Sequence, residues 1–183
     1  MTEQQPYTVI REGSGYELRH YPACVVAEVV IRADFDSAGS LAFRPLVAYI
    51  GGANQSRTPI AMTAPVIQNE SLAMTAPVLQ AAGDDGEYVV AFVLPSTVTM
   101  ESAPIPTDPR VRLRQIPEST TAATRYSGRW SRSAYLAKVE ELLAALAMDG
   151  LTPKGEPRFA RFDPPFKPWF LRRNEVQIDV ESA

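Results

Sequence analysis

The 183-residue chain carries a single histidine, His20, and a single cysteine, Cys24. An imidazole suits proton transfer near neutral pH and ligation of a transition metal, and a thiolate is a strong nucleophile. One of each falls short of the clustered titratable groups that most catalytic classes need. No G-x-S-x-G, H-E-x-x-H, phosphate-binding loop or C-x-x-C pattern occurs. Gly13-Ser14-Gly15 lacks the later glycine and the helix start of a dinucleotide fingerprint, and reads as a hairpin turn or loop. Asp34-Phe35-Asp36 resembles the opening of a calcium loop, but position twelve of that loop falls on Pro45, where a bidentate glutamate is required. Helix capping explains it better. Asp84-Asp85 and Glu140-Glu141 are adjacent pairs, a spacing that fits a solvated turn and a helix surface rather than an acid and a base at one substrate. Nothing points to a Ser-His-Asp triad around His20. The expectation is a protein that is not an enzyme, with Cys24 a small buried hydrophobe.

Composition narrows the partners. The hydrophobic share is 45%, and no stretch approaches the roughly 20 apolar residues of a membrane-spanning helix. The opening MTEQQPYTVIREGSG has neither a basic flank nor an apolar run of about 7 to 15 residues, so it does not read as a secretory signal. A cytoplasmic location is expected, in keeping with a lone cysteine. A net charge of −3 gives no electrostatic footprint for nucleic acid or an anionic membrane, and neither is expected as a partner. Lys138, Lys154 and Lys167 are the only lysines among many arginines, a balance that hints at GC-rich bacterial coding.

The elements that must position any site follow from periodicity. Tyr16, Leu18 and His20 alternate with Glu17, Arg19 and Tyr21, which predicts a strand ended by Pro22. The valine-rich run 23–31 predicts a buried second strand, expected to pair with the first. Asp34, with Asp36 or Ser37, can cap a helix in which Leu41, Ala42, Pro45, Leu46, Tyr49 and Ile50 recur at helical spacing until Gly51-Gly52, with a kink expected at Pro45. Ile60-Ala61-Met62-Thr63-Ala64-Pro65-Val66 repeats twelve residues on as Leu72-Ala73-Met74-Thr75-Ala76-Pro77-Val78, which predicts two similar short strands. A strand over 88–94 closes the first half. After the proline-rich connection 104–109, Val111 and Leu113 alternate with Arg110, Arg112 and Arg114, giving a strand with a solvated arginine face. A strand over 120–127 leads to a second helix capped by Ser131 or Ser133, with Leu136, Val139, Leu143 and Leu146 on one stripe beside Tyr135 and Leu142. Strands over 157–162 and 174–180 flank an aromatic, proline-laden stretch, 163–170. The fold expected is α+β: a distorted antiparallel β-barrel or curved sheet with two main helices, built as a pseudo-twofold repeat of a strand-strand-helix-strands unit. Residues 1–183 form one domain, with halves of about 7–103 and 110–180.

Three blocks carry a family resemblance: Tyr16-Glu17-Leu18-Arg19-His20-Tyr21, Ala61-Met62-Thr63-Ala64-Pro65-Val66, and Phe162-Asp163-Pro164-Pro165 continued by Arg172-Arg173-Asn174-Glu175-Val176. In this order and spacing, from about Tyr7 to Val180, the chain resembles the SOUL family of heme-binding proteins. The resemblance implies reversible binding of heme or another tetrapyrrole, a small planar hydrophobic ligand, in a surface hydrophobic cleft near the first helix, where Leu46 and Tyr49 lie. It implies the same distorted barrel, shared with effector-binding domains of some bacterial regulators. His20 occupies the family's possible axial position for heme iron, and a neutral imidazole suits that role; a half-buried histidine bonded to a neighbour is the plainer reading. Met62 and Met74 could pack thioethers on a porphyrin face, or serve as core. Lys167, Arg172, Arg173 and Arg57 are candidates for the heme carboxylates, with Lys167 matching a lysine of some relatives. Trp169, Phe166 and Phe170 could line the cleft or cap the barrel.

The function expected is a cytosolic tetrapyrrole carrier or buffer. One alternative is a small-molecule sensor module acting through protein partners. Another is a cleft hydrolase or lyase, motivated only by Glu175 and its neighbouring arginines, which a buried ion pair explains equally well.

Overall fold

The computed structural model describes residues 3–70, 86–164 and 166–181. Its elements, in chain order, are β1 (Glu3–Gln4), β2 (Thr8–Glu12), β3 (Glu17–Tyr21), β4 (Cys24–Ala33), α1 (Phe35–Ile50), β5 (Thr63–Ala64), β6 (Val66–Glu70), β7 (Gly86–Val93), β8 (Arg112–Ile116), β9 (Ser119–Tyr126), α2 (Arg132–Met148), β10 (Pro153–Arg161), a 3₁₀ turn (Trp169–Leu171) and β11 (Asn174–Val180). Helix α1 starts at Asp34, whose carboxylate accepts the Ser37 backbone N–H at 2.9 Å. That start lies one and a half turns ahead of the apolar run that marks the helix in the sequence, because the cap rather than the first leucine sets it. Helix α2 starts at Ser131, which accepts the Ala134 N–H. The second copy of the repeat, with Met74, and the pair Asp84-Asp85 lie outside the described residues.

Nine strands form one antiparallel sheet in the order β2-β3-β9-β11-β10-β6-β7-β4-β8, while β1 pairs in parallel with β5 beside it. Strand β2, which the sequence did not announce, turns through Gly13-Ser14-Gly15 to pair with β3; Gly15 holds a φ of +80°, which favours glycine. The two halves of the chain interlock about the β10/β6 seam. Reading outward from it, one side runs β10, β11, β9, β3 and the other β6, β7, β4, β8. The first half therefore lends β3, with β2 beyond it, to the second half's side of the sheet, and the second half lends β8 to the first's.

This exchange corrects the expected pairing of the first two long strands. Strand β3 pairs with β2 and β9, and β4 pairs with β7 and β8. Only Pro22 and Ala23 separate β3 from β4, and proline's fixed φ and missing N–H do not suit a two-residue hairpin turn. The chain instead steps across to the far side of the sheet. Tyr21 and Cys24 are three Cα steps apart, at most about 11 Å, so the sheet curls until the end of β3 and the start of β4, six places apart in its order, come together. It does not close: β2 and β8 remain its edges. The architecture is a curved sheet with two helices, not a closed barrel.

Both helices pack on one face of this sheet. Leu46, Tyr49 and Ala42 of α1 meet Val25, Ala27 and Val29 of β4 and Val90 and Phe92 of β7. Tyr135, Leu142 and Leu146 of α2 meet Leu18, Ala122, Phe159, Val176 and Ile178. The stripe of α2 is narrower than its sequence implies, since Leu136 and Leu143 are 41% and 36% exposed. Residues on the other pleat of the strands point away from the helices. Val26, Ile67, Ala91 and Val93 cluster there, as do the buried polar residues Arg19, Thr121, Glu175 and Gln177. Among the described residues, no helix is long and apolar enough to cross a membrane.

Candidate functional site

A cleft of about 570 Å³ opens between α1 and the end of β10. Gly39, Ser40 and Phe43 of α1 form one wall. Met62, Thr63, Ala64 and Val66, around β5 and the start of β6, form another. Trp130, ahead of α2, and Arg161 to Pro164 with Phe166, at and after β10, complete it. The walls are chiefly aromatic, aliphatic or thioether surface.

The indole of Trp130 is fixed by its Nε1, which donates to Asn174 Oδ1 at 2.9 Å, while Asn174 Nδ2 donates to Gly128 O at 3.1 Å. Asp163 faces the cleft with its carboxylate already engaged, accepting from Lys167 Nζ at 2.7 Å and from the Arg173 backbone N–H at 2.5 Å. Burial pushes the Asp163 carboxyl up, but these donors outweigh it and hold its pKa below the usual value. Arg161 projects from the same pleat of β10 as the buried Phe159 and is only 5% exposed. Its Nη2 donates to Gln68 Oε1 at 2.7 Å, and Gln68 Nε2 donates in turn to the Phe35 carbonyl at 3.0 Å. Burial lowers the Arg161 pKa to about 10, which leaves it charged at neutral pH. The guanidinium carbons of Arg161 and Arg172 lie 4.8 and 4.3 Å from the Trp130 ring centroid, within cation–π reach.

Of the residues singled out in the sequence, Met62 and Phe166 line this cleft. Lys167 and Arg172 stand just behind it, Lys167 paired with Asp163 and Arg172 Nε donating to the Lys167 carbonyl at 2.8 Å. Trp169 and Phe170 pack edge to face on the adjoining 3₁₀ turn, with Arg129 over Trp169, and are not among the lining residues. Leu46 and Tyr49 lie beneath α1 in the core, where the Tyr49 hydroxyl donates to the Pro104 carbonyl at 2.8 Å. Arg57 is exposed on the loop after α1. His20 lies on β3 outside the cleft lining, its side chain 43% exposed and its Nε2 3.9 Å from Glu118 Oε2.

Glu175 and Arg173 belong to a separate centre. Glu175 is 0% exposed and accepts from Arg19 Nη1 and Nη2 at 2.7 and 3.1 Å, from Arg173 Nη2 and Nε at 2.7 and 3.1 Å, and from Gln177 Nε2 at 3.0 Å. Burial raises its pKa, and these hydrogen bonds more than reverse the effect. Burial pushes the Tyr21 hydroxyl up to about 12, against the lowering effect of the Arg19 guanidinium that donates to it. A carboxylate this saturated lacks a free lone pair for proton abstraction. Among the described residues, no group of three or more His, Cys, Asp or Glu side chains could hold a metal ion.

Sequence reading passed over Phe43, Trp130, Gly39 and Arg161. Two signals were there. An arginine stands in register with the buried face of β10, and a glycine lies inside the buried stripe of α1, where it weakens the helix unless something approaches closely. A Cβ on Gly39 would come within 2.2 Å of Arg161 Nη1. For a heme, this cleft offers apolar walls for the ring from Phe43, Met62, Trp130 and Phe166, and cations near its rim and inner end.

Comparison with known proteins agrees with the three motif blocks. Heme-binding protein 1 of Xenopus tropicalis is 28% identical over 173 residues, covering 91% of this chain and 84% of that protein. Among solved structures, the EcmrR C-terminal domain superposes with a TM-score of 0.67 at 14% identity, covering 97% of this chain and 99% of that one. A hydrolase from Listeria innocua reaches 0.67 at 15% identity, covering 94% of each. At such identities these two likenesses speak for the fold alone. The SOUL heme-binding protein family model matches residues 2–179, nearly the whole chain, and the chain belongs to that family.

Proposed function

We propose that the protein binds heme or a related tetrapyrrole reversibly in the cleft beside α1, by apolar contact, and acts as a carrier or buffer in the cytosol rather than as an enzyme. The observation that carries this reading is a largely apolar cleft of about 570 Å³ in a chain of the SOUL family. That volume falls within the range of small-molecule sites, about 300–1,000 Å³. Apolar burial gains about 25 cal/mol per Å², and association costs at least about 4 kcal/mol. An open cleft without iron ligation therefore suits exchangeable binding better than a permanent cofactor. His20 stands outside the cleft lining, which favours contact over axial ligation. The saturation of Glu175 speaks against its use as a general base.

Hemin titrated into the purified protein should give a saturable Soret shift, and no shift would reject the reading. The same apolar cleft would also serve a second reading, a small-molecule sensor acting through protein partners. Partner capture that depends on another ligand, in a protein without hemin affinity, would select it.

A further inference from the structure

We infer that Arg161 is the anion-recognition point of the cleft, so that the ligand is an apolar carboxylate seated with its charged end against Arg161 and its apolar body along Phe43, Met62 and Trp130. For a tetrapyrrole this rests on the function proposed above and assigns its carboxylate edge to the inner end of the cleft.

The argument begins with cost. A buried cation is expensive unless it is paired. Among the described residues, the other buried arginine, Arg19, makes a two-pronged contact with Glu175, and the part-buried Arg158 holds Asp179 at 2.7 and 2.9 Å. Arg161 has the neutral amide oxygen of Gln68 instead of a carboxylate; its buried Nε, like that of Arg158, has no partner. The carboxylates near it are otherwise engaged. Asp163 is held by Lys167 and the Arg173 N–H, and Asp36 accepts the Arg132 backbone N–H at 3.0 Å. Trp130 and Phe159 stack on the guanidinium and repay part of its desolvation without neutralising it.

The surroundings also look shaped for access. Gly39 and Arg161 both line the cleft, and the missing side chain at 39 makes room for Nη1. Arg172 adds a second positive charge on the same indole. A planar guanidinium with N–H groups to spare matches a carboxylate bidentately. The same positive field disfavours an apolar cation.

The test compares acids with their esters on the full chain. Hemin and its dimethyl ester form one pair, followed by absorbance; dodecanoate and methyl dodecanoate form the second, followed by tryptophan fluorescence and calorimetry. Each acid should bind about tenfold more tightly than its ester. Arg161→Gln should bring the two within about twofold by weakening only the acid, and Arg161→Lys should restore part of the difference. Gly39→Ala keeps the arginine but crowds Nη1, and should likewise weaken the acid more than the ester. Should Arg161→Gln not fold, the wild-type pairs and Gly39→Ala decide. Equal affinity of acid and ester in the wild type, or a preference that survives Arg161→Gln, overturns the inference while leaving tetrapyrrole binding intact. Dodecanoate held through Arg161 without binding of either hemin form overturns the tetrapyrrole reading and supports the anion site. Binding of neither pair overturns both.

Discussion

Two buried arginines sit on opposite pleats of the same curved sheet and are used in opposite ways. Arg19, on the face turned from the helices, is closed off by Glu175, Glu17 and the Tyr21 hydroxyl, with the Tyr7 ring 4.3 Å from its guanidinium carbon. Arg161, on the helix face, meets a glutamine, two aromatic rings and an open cleft. The first arrangement spends a charge on holding β3 to β11, strands that are not neighbours in the sheet. The second leaves a charge available to something outside the chain. Charge satisfaction, rather than burial, separates the structural centre from the proposed binding one.

The contrast predicts unequal mutational costs. Glu175→Ala strands Arg19 and Arg173 without their carboxylate and should cost about 3–5 kcal/mol in urea unfolding. Arg161→Gln removes a cation that has no carboxylate to strand and should cost under about 1 kcal/mol. Equal losses would erase the distinction. Trp130→Ala should leave the Arg19 centre untouched and raise the hemin dissociation constant about tenfold, as loss of an aromatic wall implies; unaltered hemin affinity would move the ligand away from this cleft.

Acid should weaken the Glu175 centre. The folded-state pKa of Glu175 lies below its ordinary value of 4.5. Its stabilisation is therefore fully present above pH 4.5 and is lost as the pH falls through the lower folded value. Asp179, desolvated but bonded to Arg158, follows the same sign, as does Asp163. The stability gap between wild type and Glu175→Ala should narrow below pH 4.5, and a constant gap would show that charge is not what Glu175 contributes. The smallest effect is expected for His20→Ala: stability within about 0.5 kcal/mol of wild type, as for a partly exposed side chain, and an unchanged hemin spectrum. A changed Soret band would return His20 to the iron.

Much of the fold was legible along the chain. The alternation in Tyr16–Tyr21 and the valines of β4 marked strands, and Asp34 and Ser131 marked helix starts, because these patterns depend on neighbours a few residues apart. The pairing of β3 with β9 instead of β4 was not legible, since it depends on where the whole sheet bends. The exposure of Leu136 and Leu143 was hidden for a similar reason: a helix displays its apolar stripe in sequence, but the sheet beneath chooses how much of it to cover.

The site divides along the same line. Residue types and motif order carried the α+β class, the resemblance to a heme-binding family and the thin catalytic inventory, all of which are properties of local pattern and composition. Met62 could be picked out because it sits in a motif block, and Phe166 because it belongs to the aromatic stretch that follows one. The cleft is another matter. Its walls come from α1, β5, β6, the approach to α2 and the end of β10, and they converge only when the two halves interlock. Which arginine faces Glu175 and which faces the cleft is set by strand parity combined with that long-range packing. Arg161 reads as one more surface arginine until Gly39, 122 positions earlier in the chain, is brought against it.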